Sequence, residues 1–129
     1  MTSLVWGIKG SLMNYVDRMA DGVVELDGVE REASGELVFT GCGLSFSGIV
    51  RLTGHSGMMR VVLADPALVE TPSGWALELG DDAGERFLFA SIASFDGARG
   101  TGLTLTEEGS DLFFGPYEEG TPLEDLYLR

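Results

Sequence analysis

Two side chains in this sequence are candidates for metal chemistry. Tyr15 stands near the end of a helical stretch, and His55, the only histidine, stands in the glycine-rich segment Leu52–Gly57. A phenolate oxygen is a hard anionic ligand, and an imidazole can hydrogen bond to such a ligand and orient it. Either residue alone is ordinary. In these two contexts, the pair indicates bound iron rather than catalysis by a triad.

The stretch that carries Tyr15 has the clearest helical periodicity in the chain. Its apolar side chains recur at three- and four-residue spacing and so share one face: Leu4, Ile8, Leu12, Tyr15, Val16 and Met19. This spacing predicts a helix over residues 4–19. Thr2 or Ser3 can cap its start, and Asp21-Gly22 supplies its stop.

From residue 22 onward the apolar residues alternate with polar ones, which is the period of strands. Seven segments show this pattern: Val23–Glu30, Glu36–Thr40, Leu44–Leu52, Met58–Leu63, Leu68–Glu70, Trp75–Leu79 and Arg86–Phe95. Turn sequences separate many of them, such as Asp65-Pro66. Leu103–Phe114 is ambiguous, because Thr106–Glu108 could open a short helix, and the tail Gly115–Arg129 is expected to wrap the surface.

These elements together predict the fold class. A helix followed by a meander of strands, without βαβ alternation, indicates a mainly β (α+β) domain over residues 1–129. We predict an antiparallel β-sandwich or barrel-like sheet with an N-terminal helix, and one or two short helices in all.

Composition excludes several classes of partner. The chain has 129 residues and 44% apolar residues, which suits one domain with one core. Its net charge of -13 repels phosphate backbones and anionic headgroups, so nucleic acid is not expected as a main partner.

Cys42 is the only cysteine; it cannot form an intrachain disulfide and is expected to be buried. No run of about 20 apolar residues is present, so no membrane span is predicted.

Three sequence blocks occur in order and extend over nearly the whole chain. The first, Trp6–Val16, reads WGIKGSLMNYV; the second, Leu52–Gly57, reads LTGHSG and is followed by a strand and Asp65-Pro66. The third is LTEEGSDLF at Leu105–Phe113, followed by Gly120–Glu124. Together they resemble the HtaA domain, a haem-binding module of actinobacterial haem uptake. The second block departs from the family pattern in having Leu for Phe at its first position and Ser for Gly at its fifth.

The resemblance implies a site. Carried over residue by residue, Tyr15 is the predicted protein ligand to the iron of ferric haem, and His55 is predicted to hydrogen bond to the phenol. Ser11 and Phe113 are expected near the porphyrin. Phenolate ligation favours Fe(III), which suits a protein that holds oxidised haem and passes it on.

The residues themselves suggest what else would surround such a cofactor. Four glycines would let a flat macrocycle approach the backbone: Gly7, Gly10, Gly54 and Gly57. The candidate apolar walls are Met58, Met59 and Phe113. The candidate cations for the propionates are Lys9, Arg51 and Arg60.

We therefore expect a non-enzymatic protein for haem uptake, transfer or storage, with haem and another haem-transfer protein as partners. One alternative is a degenerate domain that keeps the fold but binds a protein or another ligand. Another is a haem-dependent enzyme, for which Asp65 and Asp96 are the uncommitted acid–base groups. A homodimer is also open. If Met1 is the native start, the protein is expected in the cytoplasm; export to the cell envelope, as in the family, is the alternative.

Overall fold

Eight antiparallel strands close into a barrel in the computed structural model, which describes residues 1–113 and 117–129. Eleven strands and two helices form within these residues. The elements are β1 (Thr2–Trp6), α1 (Gly10–Arg18), β2 (Val23–Asp27), β3 (Val29–Arg31), β4 (Leu37–Cys42), β5 (Ser45–Ser47), β6 (Ile49–Gly54), β7 (Met59–Thr71), β8 (Gly74–Gly80), β9 (Arg86–Phe95), β10 (Arg99–Leu105), α2 (Glu107–Asp111) and β11 (Leu126–Leu128). The predicted mainly β fold with an N-terminal helix is confirmed, and a barrel is the form it takes.

The barrel closes through the long strand β7. The strand order is β7-β5-β4-β1-β11-β10-β9-β8, and β8 then pairs with β7 again. The N-terminal half of β7 pairs instead with β6, to which β2 adds, and β3 pairs with β4. The register shifts between Ala64 and Ala67, where Asp65 has a φ of 48°. This irregularity marks the change of partner along β7.

The core lies inside the barrel and beneath α1. Its largest fully buried side chains include Trp6, Phe39 and Phe89. The rings of Trp6 and Phe89 meet edge to face, with centroids 5.9 Å apart. Burial of one such aromatic side chain contributes at most about 4–6 kcal/mol of hydrophobic free energy. The Trp6–Phe89 contact therefore packs β1 against β9, from which it is separated by β11 and β10 in the barrel order.

The predicted helix over residues 4–19 was too long, because residues 2–6 form a strand. β1 lies between β4 and β11, where Leu4 pairs with both Phe39 and Leu128. The four-residue spacing of Leu4 and Ile8 fits a strand as well as a helix, so periodicity alone did not separate them. Thr2 and Ser3 consequently lie in β1 and do not cap α1.

Several strand boundaries also differ from the prediction. Glycines with positive φ divide two predicted strands, Gly28 (φ 71°) between β2 and β3 and Gly48 (φ 135°) between β5 and β6. The predicted turn at Asp65-Pro66 was wrong, because both residues lie inside β7 and join two predicted strands into one. Since a single left-handed residue can form a bulge, the chain does not need to turn there.

The C-terminal part of the chain contributes a strand to the barrel. The prediction that the tail wraps the surface was therefore wrong. β11 pairs with both β1 and β10, and Leu126 is fully buried. The ambiguous segment Leu103–Phe114 contains the end of β10 and then α2, whose start is capped by Thr106 Oγ1 accepting from the Gly109 amide at 3.0 Å. Phe114, Gly115 and Pro116 lie outside the described residues.

Two further features bear on the predictions. Cys42 is exposed, not buried, because it ends β4 beside a hairpin turn and shares a face with the exposed Thr40. Neither α1 nor α2, the helices of the described residues, is long and apolar enough to cross a membrane.

Candidate functional site

Tyr15 and His55 meet where α1 lies over the sheet. Helix α1 buries Leu12, Met13 and Val16 against the barrel, which leaves Tyr15 on its outer face with 51% of its surface exposed. His55 begins the short turn that joins β6 to β7. The phenol oxygen of Tyr15 lies 2.6 Å from Nε2 of His55, and the ring centroids are 5.8 Å apart. The structure therefore places the two residues in direct hydrogen-bonding contact.

The direction of this hydrogen bond depends on the protonation of both rings. A neutral phenol donates to Nε2, whereas a phenolate accepts from an Nε2–H group. Because a hydrogen bond to the charged form favours that form, a donating imidazole stabilises a phenolate at Tyr15. The same contact holds the phenol in one orientation. The pair can thus present an anionic oxygen to the space beside it.

The turn that carries His55 has an unusual backbone. His55 (φ 51°), Ser56 (φ 57°) and Gly57 (φ 87°) are three successive residues with left-handed φ values. The carboxylate of Asp21 accepts the His55 amide at 3.2 Å and the Ser56 amide at 2.6 Å. The hydrogen bond from Ser56, with the weaker one from His55, holds the pKa of Asp21 below its ordinary value. Asp21, predicted only to end the helix, therefore also binds this turn.

An apolar cleft of about 570 Å³ opens beside the Tyr15–His55 pair. Its lining residues are Leu12, Tyr15, His55, Met58, Met59, Arg60, Val61, Phe113 and Tyr117. Cofactor pockets commonly have volumes of about 300–1,000 Å³ and mostly apolar walls with a few placed polar groups. Among the large apolar side chains exposed in the described residues, Tyr15 and the 85% exposed Met58 both face this cleft. Such an exposed apolar patch is typical of a binding site.

Most of the predicted site residues lie in this cleft. Tyr15, His55, Met58, Met59 and Phe113 line it, and Arg60 stands at its rim, paired with Asp82 at 3.0 Å.

Three other predicted residues lie outside the lining of the cleft. Ser11 is exposed in the first turn of α1 and is not part of the described lining. Arg51 pairs with Glu25 at 2.8 Å. Lys9 donates to the Pro122 carbonyl at 3.2 Å, and its ammonium lies 5.6 Å from the centre of the Tyr117 ring.

Protein side chains occupy the space beside three of the four glycines at which a macrocycle was expected to approach the backbone. A Cβ on Gly7 or Gly10 would lie 3.5 Å or 3.3 Å from the side chain of Glu124. A Cβ on Gly54 would lie within van der Waals overlap of the Met19 sulfur. At Gly57 no atom lies within 4 Å of that position. Of these four glycines, Gly57 thus has open space on its side-chain face.

Tyr117 is a second phenol in the cleft that sequence reasoning missed. Its ring packs perpendicular to that of Phe113, with centroids 5.2 Å apart. Burial raises the pKa of Tyr117, and the nearby Tyr15 adds to the effect. Tyr117 therefore favours its neutral form, and His55 contacts the oxygen of Tyr15. No local sequence signal marked this residue, because it follows Pro116 in a segment interpreted as tail.

Glu124 supplies the missing cap of α1. Lys9, at the N-cap position, makes no side-chain capping bond. Instead, Glu124 Oε2 accepts the Gly10 amide at 2.8 Å, and the Glu124 amide donates to the Ile8 carbonyl at 2.9 Å. A carboxylate at this end also complements the helix dipole. The C-terminal segment thereby holds the helix that presents Tyr15.

Comparisons with known proteins agree with this architecture. The chain has a TM-score of 0.80 with the crystal structure of the C-terminal domain of HtaA from Corynebacterium glutamicum, at 21% identity, covering 98% of this chain and 93% of that one. The N-terminal domain of the same protein gives 0.74 at 24% identity, covering 98% and 94%. A domain-swapped dimer of a histidine-to-alanine variant of the C-terminal domain gives 0.62 at 20%, covering 96% and 92%. At these identities the likeness concerns the fold.

The assignment to a family comes from the sequence as a whole. A search of functionally curated proteins returned no significant match. The sequence profile of the HtaA family, in contrast, matches residues 1–129. The chain therefore belongs to the HtaA family, a family associated with haem.

Proposed function

We propose that this chain binds ferric haem, with Tyr15 as the protein ligand to the iron and His55 as the hydrogen-bond partner of the phenolate. One observation carries the proposal: the Tyr15 oxygen and His55 Nε2 lie 2.6 Å apart at an apolar cleft. Tyrosinate is a known protein ligand to haem iron, and a hydrogen bond to a ligating group orients it and tunes the metal.

The donor set of the cleft suits a metal that brings its own macrocycle. Tyr15 offers one oxygen, and His55 is already engaged with that oxygen. A metal bound here needs most of its ligands from elsewhere, and a porphyrin supplies four nitrogens. Leu12, Val61 and Phe113, all buried, offer apolar surface for a flat ring. The propionates require cations or water, and Arg60 at the rim can exchange its exposed partner Asp82 for a carboxylate of the ligand.

The exposure of the site favours holding and transfer over catalysis. Domains of this family are binding and uptake modules. Bound iron would supply a Lewis-acidic centre that stays ferric with a phenolate ligand. Tyr15 and His55 are both exposed, so another haem-transfer protein could reach the ligand. The acid–base groups considered for an enzyme are engaged with the backbone, because Asp65 accepts the Gly48 amide and Asp96 accepts those of Ala98 and Arg99.

A titration with ferric haem tests the proposal. The wild-type protein should develop a Soret band that saturates at one haem per chain, with the charge-transfer bands of tyrosinate ligation. Tyr15→Phe should remove those charge-transfer bands. Tyr127→Phe is the matched control, because Tyr127 lies in β11 and does not line the cleft. Absence of a band from the wild-type protein at stoichiometric haem would contradict the proposal.

A second candidate is a module that binds another apolar ligand or a protein in the same cleft. The 85% exposure of Met58 favours it, because exposed apolar side chains also mark protein-binding surfaces. The same titration separates the two, since this module would give no haem spectrum. The homodimer that the sequence left open belongs to this question as well. Sedimentation velocity with and without haem would show whether the chain associates.

A further inference from the structure

The turn that carries His55 is held by the segment that follows α1. Asp21 accepts the backbone N–H groups of His55 and Ser56. The turn also begins against this segment, because a Cβ on Gly54 would overlap the Met19 sulfur and lie 3.7 Å from the Gly22 Cα. Two kinds of contact, polar and van der Waals, thus join the end of α1 to the β6–β7 turn.

The turn needs such support. Left-handed φ values are unfavourable for residues with a Cβ, and His55 and Ser56 both adopt them. Backbone conformations of this kind persist only where surrounding groups hold them. The two N–H groups that Asp21 accepts belong to the same two residues. The carboxylate therefore acts at the point where the turn is most strained.

The segment from Tyr15 to Asp21 consequently contacts both the backbone and the side chain of His55. Its backbone N–H donates to Asp21, and its Nε2 contacts the oxygen of Tyr15, six residues earlier. The imidazole can reach Tyr15 only while the backbone of the turn directs the side chain toward α1.

We propose that Asp21 is a positioning residue for the haem site: its carboxylate holds the left-handed turn that aims His55 at Tyr15, and thereby tunes the phenolate. The inference rests on the proposed function, because it concerns the same ligand. Asp21 does not touch the ligand and acts through His55.

The geometry favours a carboxylate over an amide at this position. Each of the two oxygens of Asp21 accepts one N–H group, Oδ1 from His55 and Oδ2 from Ser56. Asparagine offers one acceptor oxygen, and its NH₂ group would face a backbone donor. Asp21→Asn should therefore lose one of the two bonds, and Asp21→Ala should lose both. The number of hydrogen bonds to the turn should therefore fall from two in the wild type to one in Asp21→Asn and none in Asp21→Ala.

The first test uses the haem-free protein. His55 is the only histidine, so its imidazole nitrogen and Cε1–H resonances in an NMR spectrum are assigned without ambiguity. Tyr15→Phe should shift these resonances by removing the hydrogen bond. Asp21→Asn and Asp21→Ala should shift them in the same direction while the dispersed spectrum of the barrel persists. Resonances unchanged by Asp21→Ala in a folded protein would overturn the proposal.

The second test uses the haem complex. Transfer of haem to an excess of apomyoglobin should be about three- to tenfold faster for Asp21→Ala than for the wild type, which is less than the change expected for His55→Ala. Relative to the wild type, the charge-transfer bands should move in the same direction in Asp21→Ala and in His55→Ala. Asp21→Ala combined with His55→Ala should be no faster than His55→Ala alone. Additive effects would mean that Asp21 does not act through His55.

Asp17→Asn is the matched control. Asp17 lies on α1, one turn before Asp21, and pairs with Arg31 at 2.7 Å rather than with the turn. It should leave both the His55 resonances and the transfer rate unchanged. If the wild-type protein shows no haem spectrum, the proposed function fails, and the NMR comparison still decides whether Asp21 positions His55.

Discussion

The oxygen of Tyr15 and Nε2 of His55 lie 2.6 Å apart although forty residues separate them in the chain. α1 provides the first residue and the β6–β7 turn provides the second. The contact is exposed, so its strength in the free protein is modest, but a bound metal that displaces water would strengthen it. Four predictions concern the ligand roles of this pair, the second phenol of the cleft, the cap of α1 and the stability of the fold in acid.

The first concerns the order of importance of the two residues. Tyr15→Ala removes the proposed iron ligand, whereas His55→Ala removes a group that acts on the ligand. Loss of a group that hydrogen bonds to a metal ligand typically weakens metal binding by about 10- to 100-fold. We expect haem to dissociate faster from His55→Ala than from the wild type, and faster still from Tyr15→Ala. Stopped-flow transfer to apomyoglobin measures both rates. The reverse order would mean that His55, not Tyr15, is the ligand.

The second concerns the other phenol of the cleft. Tyr117→Phe keeps the ring that packs on Phe113 and removes only the hydroxyl. We expect the charge-transfer bands of the haem complex to remain, because burial raises the pKa of Tyr117 and Tyr15 is the proposed phenolate ligand. Tyr117→Ala should lower the affinity by loss of apolar wall while the band positions stay. If Tyr117→Phe loses the bands, the ligand is Tyr117 and the assignment to Tyr15 is wrong.

The third concerns the cap of α1. Glu124→Ala removes the acceptor of the Gly10 amide and should lower the free energy of unfolding by about 1 kcal/mol, as for other helix caps. Urea denaturation followed by tryptophan fluorescence measures the change. Glu119→Ala, at an exposed position in the preceding turn, should stay within about 0.5 kcal/mol of the wild type. Equal effects of the two substitutions would show that Glu124 does not cap the helix.

The fourth concerns the stability of the fold at acidic pH. The Arg31 hydrogen bond lowers the pKa of Asp17, the Ser56 amide lowers that of Asp21, and the Arg99 amide lowers that of Asp96. A lowered pKa in the folded state means that each group stabilises the fold above its unfolded pKa of about 3.9. That stabilisation is lost as the pH falls from there through the folded pKa.

The melting temperature should therefore depend little on these groups between pH 7 and 5, and it should fall below about pH 4. Asp96→Asn should make the decline shallower, because one of these three carboxyl groups with a lowered pKa is gone. Differential scanning calorimetry across this pH range measures both curves. Identical slopes for the two proteins below pH 4 would show that Asp96 does not contribute.

The elements near the site show why part of the fold was predictable and part was not. The helix around Tyr15 and the strands that flank His55 follow from local periodicity, which is a property of neighbouring residues. The N-terminal strand was misread because Leu4 and Ile8 fit two periods at once. The unbroken β7 was missed because an Asp-Pro pair usually turns the chain, whereas here Asp65 adopts a left-handed conformation inside a strand.

The sequence by itself determined the chemical groups and the local elements: a phenol on a helix, a single imidazole in a glycine-rich turn, and a net charge of -13. The tertiary structure decided what those groups touch. The closure of the barrel, the cap by Glu124, the support by Asp21 and the position of Tyr117 in the cleft depend on contacts between distant parts of the chain. The support by Asp21 joins residues 34 positions apart, and the cap by Glu124 joins residues 114 positions apart. Such contacts depend on how strands pair and helices dock, and the period of a local segment carries no information about the partner it will meet.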